Sequence, residues 1–336
     1  MHTLSPTRRA IAVVTGVVVL QALMLLAFAW PQANIGPRAV PIAVAGPDQA
    51  VGEVETALAA VPRADDDVAA FDVRTVADEA AARDAIEQRD VYGAVVLSGD
   101  GPQLLVASGA GPAVAQMLRS AAGELAADVP PAVEDVVPSD PDDPNGGGLA
   151  AAVLPLVLTS AAGGLLTVLA IRRSSARLMA VVGLAVVAGL TTAALLQYGL
   201  GILAGPYLAL SGAVGLVVGA VAASVAGLGA LLGRAGAALG ILVMIFVGNP
   251  LAAATSAPEM LPQPWGEVGQ FLPPGAGVSL VRSVVFFDGA GAGVPLVVLM
   301  VWLLAGLALV VAGARRNPFA DHRYVSEPHD ETAVRA

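Results

Sequence analysis

Lysine and cysteine are both missing from this 336-residue chain, so every one of its seventeen basic side chains is arginine. Without lysine there is no GxxxxGK[ST] loop to cradle a nucleotide's phosphates, which argues against ATP hydrolysis by the chain itself. Without cysteine there are neither disulfides nor thiolate metal sites. Histidine is nearly absent too, and His2, His322 and His329 all lie in the tails. Membrane hydrolases need an activated nucleophile or a metal, and this composition offers few ways to build either. We therefore expect no catalytic residue, no metal and no cofactor. Charge is scarce as well: 13% of residues are charged, against about 25% in soluble domains.

What is abundant is hydrocarbon. Hydrophobic residues make up 56% of the chain and the mean hydropathy is +0.76, which places it in a lipid bilayer. A hydrocarbon core about 30 Å thick takes about 20 apolar residues as a helix. Six stretches qualify: Ile11–Trp30, Leu149–Ile171, Leu178–Tyr198, Tyr207–Leu232, Ala237–Ala254 and Val294–Ala314.

Arginine orients them, because short cytoplasmic loops collect positive charge. Arg8 and Arg9 precede the first span, and Arg172, Arg173 and Arg177 separate the second from the third. Arg234 separates the fourth from the fifth, and Arg315 and Arg316 follow the sixth. Both termini are thus expected in the cytoplasm of a multi-pass plasma-membrane protein. A cleaved signal peptide is the alternative for the first span, since "AFAWPQA" offers small residues, but the apolar run exceeds the 7–15 residues usual for one. A twin-arginine signal at Arg8-Arg9 is the weaker alternative to a topogenic role.

Residues 31–148 differ sharply, with twenty Asp and Glu against six Arg. An extracytoplasmic domain is expected at 31–128. "RAVPIAVAG", "FDVRTVA", "VYGAVVLS" and "PQLLVAS" read as strands, the last two joined by "GDG" as a hairpin. "DQAVGEVETALAAV", "ADEAAARDAIEQRD" with Asp78 as N-cap, and Pro112–Ala126 read as helices. The result is a small α/β layer with a mixed sheet, a folded cap or docking surface. It carries no glycine-rich phosphate loop and no Ser/His/Asp set. Residues 129–148, "VPPAVEDVVPSDPDDPNGGG", read as an acidic linker without regular structure. Asp140, Asp142, Asp143 and Asn145 suggest calcium, but Pro144 occupies a ligand position and no Glu closes the loop.

The six spans hold no Asp, Glu, His, Lys or Arg well inside their apolar regions. Ion-driven carriers use buried titratable groups or broken helices to hold the coupling ion, so any active transport here borrows its energy from a partner. Ser211, Gly215, Gly219, Ala223 and Gly227 recur every fourth residue along the fourth span. They form a small-residue ridge that suits packing within the bundle or a homodimer seam. Gln197 and Tyr198 close the third span, and Asn249 with Pro250 interrupts the fifth; they mark helix ends or line a pathway.

Between the fifth and sixth spans lies "NPLAAATSAPEMLPQPWGEVGQFLPPGAG", with six prolines from Asn249 to Gly277. It leaves room for two short helices, Trp265–Leu272 and Gly275–Phe287, suited to the headgroup zone or to a re-entrant dip. Arg282 is the arginine on the wrong side, with Glu259, Glu267 or Asp288 as candidate partners.

One anchor, a large outer domain, five further spans and "GNPLAAATSAPEMLPQPWGEVGQFLPPGAGVSLVRSVVFFDG" between the last two resemble a type-2 ABC transporter permease. Together with "DVYGAVVLSGDGPQLLVASGAGPAVAQMLRSAA", they are similar to the actinobacterial branch near the phage-infection-protein (Pip) and DUF3533-like membrane proteins. The resemblance implies a six-helix membrane bundle with the α/β domain inserted after its first helix. It also implies a permease that dimerises, a separate ATPase subunit on its cytoplasmic loops, and export of an amphiphilic or lipid-like substrate. It places Asn249, Pro250, Pro262, Trp265, Gly269, Gln270, Pro273, Pro274, Gly275 and Arg282 in an outer gate within a re-entrant segment at 250–290. The inner loop "RRSSARL" is short for ATPase docking, and this keeps a non-transporting envelope scaffold or surface receptor as the alternative. The other partner is the lipid bilayer; no nucleic acid is expected. Residues 315–336 read as a cytoplasmic tail, whose acidic part from Asn317 to Ala336 reads as disordered and polar.

Overall fold

A computed structural model describes residues 6–61, 64–65, 67–99, 101–125, 131–143 and 146–316. His2, Pro144, Asn145, the start of the acidic linker and the tail from 317, with His322 and His329, lie outside the described residues.

The chain is mostly helical, and five of its helices are long and apolar enough to cross a membrane. They are α1 (Pro6–Ala33), α5 (Gly147–Ala170), α6 (Ser174–Ala194, extended by a π turn, Leu195–Gly199), α7 (Tyr207–Leu232) and α11 (Gly293–Arg316). A small α/β unit sits between α1 and α5. It comprises β1 (Val40–Ala45), α2 (Asp48–Ala59), β2 (Phe71–Val76), α3 (Glu79–Glu87), β3 (Gly93–Ser98), β4 (Gly101–Val106), α4 (Pro112–Leu125) and β5 (Ala132–Asp135). Between α7 and α11 lie α8 (Arg234–Leu242), α9 (Trp265–Gln270) and α10 (Pro273–Phe286).

The sheet order is β2-β1-β3-β4-β5. β1 pairs in parallel with β2 and β3, β3 and β4 form the antiparallel hairpin, and β5 runs parallel to β4. Side chains alternate across the strands. Val40, Ile42 and Val44 join α2 and α4 in one core, and Ala43 and Ala45 meet Ala82 and Ile86 of α3 in the other. Asp78 caps α3 by accepting the Ala81 N–H at 2.9 Å, which satisfies an otherwise orphaned donor of the first turn.

Strand β5 corrects the expectation that residues 129–148 lack regular structure. Pro131 and Pro138 flank the strand rather than interrupt it, so its N–H groups remain free to pair. Its acidic side chains find cations on neighbouring elements: Glu134 pairs with Arg83 and Asp135 with Arg119. Asp143 takes the N–H groups of Gly147 (2.9 Å) and Gly148 (2.7 Å) at the start of α5.

The expected fifth span over Ala237–Ala254 is not one long helix. α8 runs into a π segment, Val243–Gly248, and stops. Its fifteen residues reach about 22 Å, short of a full crossing. Pro250 lacks the N–H that would carry the helix on.

α7 is the hub. Its ridge is covered within the chain: Gly215 faces the Ala185 carbonyl of α6, and a Cβ on Gly219 would meet Ala185 and Leu303. A Cβ on Gly227 would collide with the Gly306 carbonyl of α11, and one on Gly306 with Ala223. A Cβ on Gly189 of α6 would crowd the Ser211 carbonyl. α1 stands apart, with 0% of its apolar window buried.

Candidate functional site

The six-proline segment folds as a hairpin of short helices, α9 and α10, whose tip lies deep among the long ones. Two neighbours fix the depth. Gly277 is packed against Val217, ten residues along α7 from Tyr207, or about 15 Å. The indole N–H of Trp302 donates to the Phe271 carbonyl at 2.8 Å, nine residues along α11 from Gly293, or about 13 Å. Both starting ends lie beside the α/β unit or its junction: Gly291 touches Arg89, and Gly205 touches Val285. The tip therefore lies about 13–15 Å along α7 and α11 from those ends.

Glycines make the fold of this hairpin possible. A Cβ on Gly269 would collide with the Leu251 carbonyl, and one on Gly275 with the Gly269 carbonyl. Gly248, ending the short helix, rests on Pro274. α8 with its π segment and the hairpin thus meet end to end, Gly248 against Pro274, and most of the irregular backbone between them is buried.

The residues expected in the gate fall into three environments. Pro250, Pro262, Gly269, Pro273, Pro274, Gly275 and Arg282 are buried. Trp265 is exposed together with Val268 and Phe271, an apolar face on α9. Asn249 and Gln270 carry the polar atoms of the tip: Gln270 Oε1 accepts the Ser279 hydroxyl at 2.7 Å. Asn249 Oδ1 and Gln270 Nε2 are buried with no hydrogen-bond partner.

Arg282 is not paired with Glu259, Glu267 or Asp288, as its sequence neighbours had suggested. Its guanidinium, 4% exposed, donates to the carbonyls of Ala253 (3.2 Å), Ser256 (3.1 Å) and Ala254 (2.8 Å). One turn of irregular backbone, with Ala253 at φ 52°, is closed around a single cation. The planar fork with five donors suits three converging carbonyls in a way an ammonium does not.

Residues that sequence reading did not single out tie this segment to the α/β unit. Arg38 donates to the Met260 carbonyl at 3.1 Å and pairs with Asp65, while the Arg38 and Gly36 N–H groups bond the carbonyls of Glu259 and Met260. Tyr92 donates its hydroxyl to Glu259 at 2.9 Å. Arg89 donates to the Ser279 carbonyl at 3.0 Å and to the Ser283 hydroxyl, with its guanidinium 5.2 Å from the Phe287 ring centre. Burial pushes the Tyr92 phenol well above its ordinary range, helped by the Glu259 carboxylate, and lowers Arg89. Both faces of the sheet grip the segment, one through Ala257 and Met260 and the other through Phe286 and Phe287.

The arginines expected at loops gather at the helix ends remote from the sheet. Arg177 donates to the Ile171 and Val168 carbonyls at the end of α5, where cations complement the helix dipole. Among the described residues no cluster of three or more His, Asp or Glu is placed to hold a metal ion. Against known protein families, curated proteins and solved structures, the chain finds no match.

Proposed function

We propose that the chain is the membrane permease subunit of an ABC-type exporter, moving an amphiphilic or lipid-like compound outward with a separately encoded ATPase. The observation that carries this reading is the α9–α10 hairpin lodged between α7 and α11, about 13–15 Å along them from their starting ends, and held by the folded α/β unit. Such a plug closes the outer half of a path while leaving the other half open to the opposite side. The apolar helices hold no titratable relay, so ion coupling has nothing to act through, and the work comes from a partner. The resemblance to type-2 permeases points the same way.

In this reading α1, α5, α6, α7, the α8 half-span with its hairpin, and α11 make up six crossings. The arginine-rich ends face the cytoplasm, and the α/β unit faces outward. Opening shifts the hairpin, and the domain moves with it because Arg38, Arg89 and Tyr92 hold the two together. Dimerisation, if it occurs, uses faces other than the α7 ridge, which is already filled.

The test is co-purification from the native host after crosslinking. Recovery of a nucleotide-binding subunit supports the reading, and its absence opposes it.

One observation favours an envelope scaffold or surface receptor instead. α5 and α6 are joined by Ile171–Arg173 alone, and α7 and α8 by Gly233, leaving little surface for an ATPase. Deleting Pro31–Gly148 separates the two: a scaffold loses all activity, whereas a transporter keeps basal flux.

A further inference from the structure

The α/β unit has an apolar cavity of about 270 Å³ between the sheet and the helices α2 and α4. Ile42, Val95 and Leu104 form its floor, and Val54, Ala57 and Leu118 its walls. Gly93 keeps it narrow, since a Cβ there would press on Leu118 and the Leu105 carbonyl. Glu53 brings a carboxylate to the lining and is exposed, while the Gln103 amide lies on the opposite face of the sheet, held by Glu134 at 3.1 Å.

The cavity runs along one face of the sheet beneath α2 and α4, from Gly93 and Ala94 at the start of β3 to Leu97 near its end, with Pro102 and Leu104 of β4 beside them. The face is the one whose core also takes in Ala257 and Met260.

Charge narrows the occupant. Residues 31–148 carry twenty acidic groups against six arginines, Asp48 opens α2, and Glu53 lies in the lining. A phosphate or carboxylate head group would meet repulsion from Glu53 at the lining, in a unit whose net charge is negative. The apolar space of about 270 Å³ has room for a hydrocarbon segment.

We infer that this cavity is a binding site for the hydrocarbon chain of a single-chain amphiphile with an uncharged or cationic head group. The inference does not require an ATPase, and it holds for a permease or a receptor.

The experiment uses the full chain in nanodiscs, photolabelled with a diazirine analogue of decanol and mapped by peptide mass spectrometry. Expected are adducts on peptides covering 50–58 and 93–104, competed by decanol and decyltrimethylammonium and at least tenfold less well by decanoate. Ala57→Trp fills the cavity and should remove these adducts while labelling of α11 persists. Glu53→Arg leaves the cavity open and should bring decanoate level with decanol. Wild-type chain unlabelled at these peptides, labelling unchanged by Ala57→Trp, or decanoate competing as well as decanol would each overturn the inference. So would a photoreactive residue at position 57 crosslinking to residues 126–130 of the same chain, which would make the cavity a seat for the protein itself.

Discussion

The helix bundle and the junction above it are built from opposite materials. Around α7, contact depends on what side chains leave out: Gly189, Gly215, Gly227 and Gly306 let backbones touch, and no charge takes part. At the junction, contact depends on three arginines and a tyrosine that reach carbonyls, the Ser283 hydroxyl and the Glu259 carboxylate, up to 222 residues away. Hydrocarbon rewards the first solution because lipid tails offer helices no hydrophobic reason to associate, only packing. Irregular backbone demands the second, because every carbonyl that leaves a helix must find a donor. The small-residue seam fixes where helices lie, and the guanidinium clasps fix where a broken chain lies.

The contrast can be broken at either region. The largest effect is expected from Arg282→Met, which removes all three guanidinium bonds, leaves the Ser256 and Ala254 carbonyls without that donor while Ala253 keeps the Ser256 N–H, and costs about 3 kcal/mol. Proteolysis should then open the chain between 250 and 262 while the long helices stay folded in detergent, and Arg282→Lys should restore only part of the protection. Gly227→Leu should cost about 3 kcal/mol by overpacking against α11, seen as a lowered thermal midpoint of the helical signal with the α/β unit unaffected. Arg89→Ala should cost about 2 kcal/mol and speed amide exchange in α10. Tyr92→Phe, the mildest, removes one hydrogen bond to Glu259 and should cost about 1 kcal/mol.

Titration sharpens the last of these. The Tyr92 phenol is raised by burial and by Glu259, so its stabilising effect is complete below the unfolded phenol value of about 10. It declines as pH rises beyond that toward the folded value. Thermal midpoints of wild type and Tyr92→Phe, compared from pH 7 to 11, should keep their difference to about pH 10 and converge above it.

How much of this was legible in the sequence follows from the range of each interaction. Asp78 and its helix, the "GDG" hairpin and the two short helices between prolines are decided within a few residues, and the sequence displays them. The length of α8 was misjudged because hydropathy continues past Gly248 while the backbone cannot. β5 was missed because its pairing needs β4, and its acidic side chains need Arg83 and Arg119. Arg38, Arg89 and Tyr92 gave no local signal at all. Each looks like an ordinary surface residue of an acidic domain until the segment carrying Glu259, Met260 and Ser283 is folded against it. Arg282 breaks the charge pattern and so stands out in the sequence, but its partners are backbone carbonyls, which carry no residue-type signal.

The central claim is that the chain between α8 and α11 dips to mid-membrane and returns to the same side. A chain without cysteine lets this be measured with single thiols. Phe271→Cys, Gly289→Cys and Arg173→Cys would each carry a nitroxide in liposomes, with depth read by power saturation against oxygen and a water-soluble nickel complex. The account predicts position 271 about 13–15 Å deep, with positions 289 and 173 in water on opposite sides. A spin label at 271 that lies at the surface, or positions 289 and 173 on the same side, would contradict it.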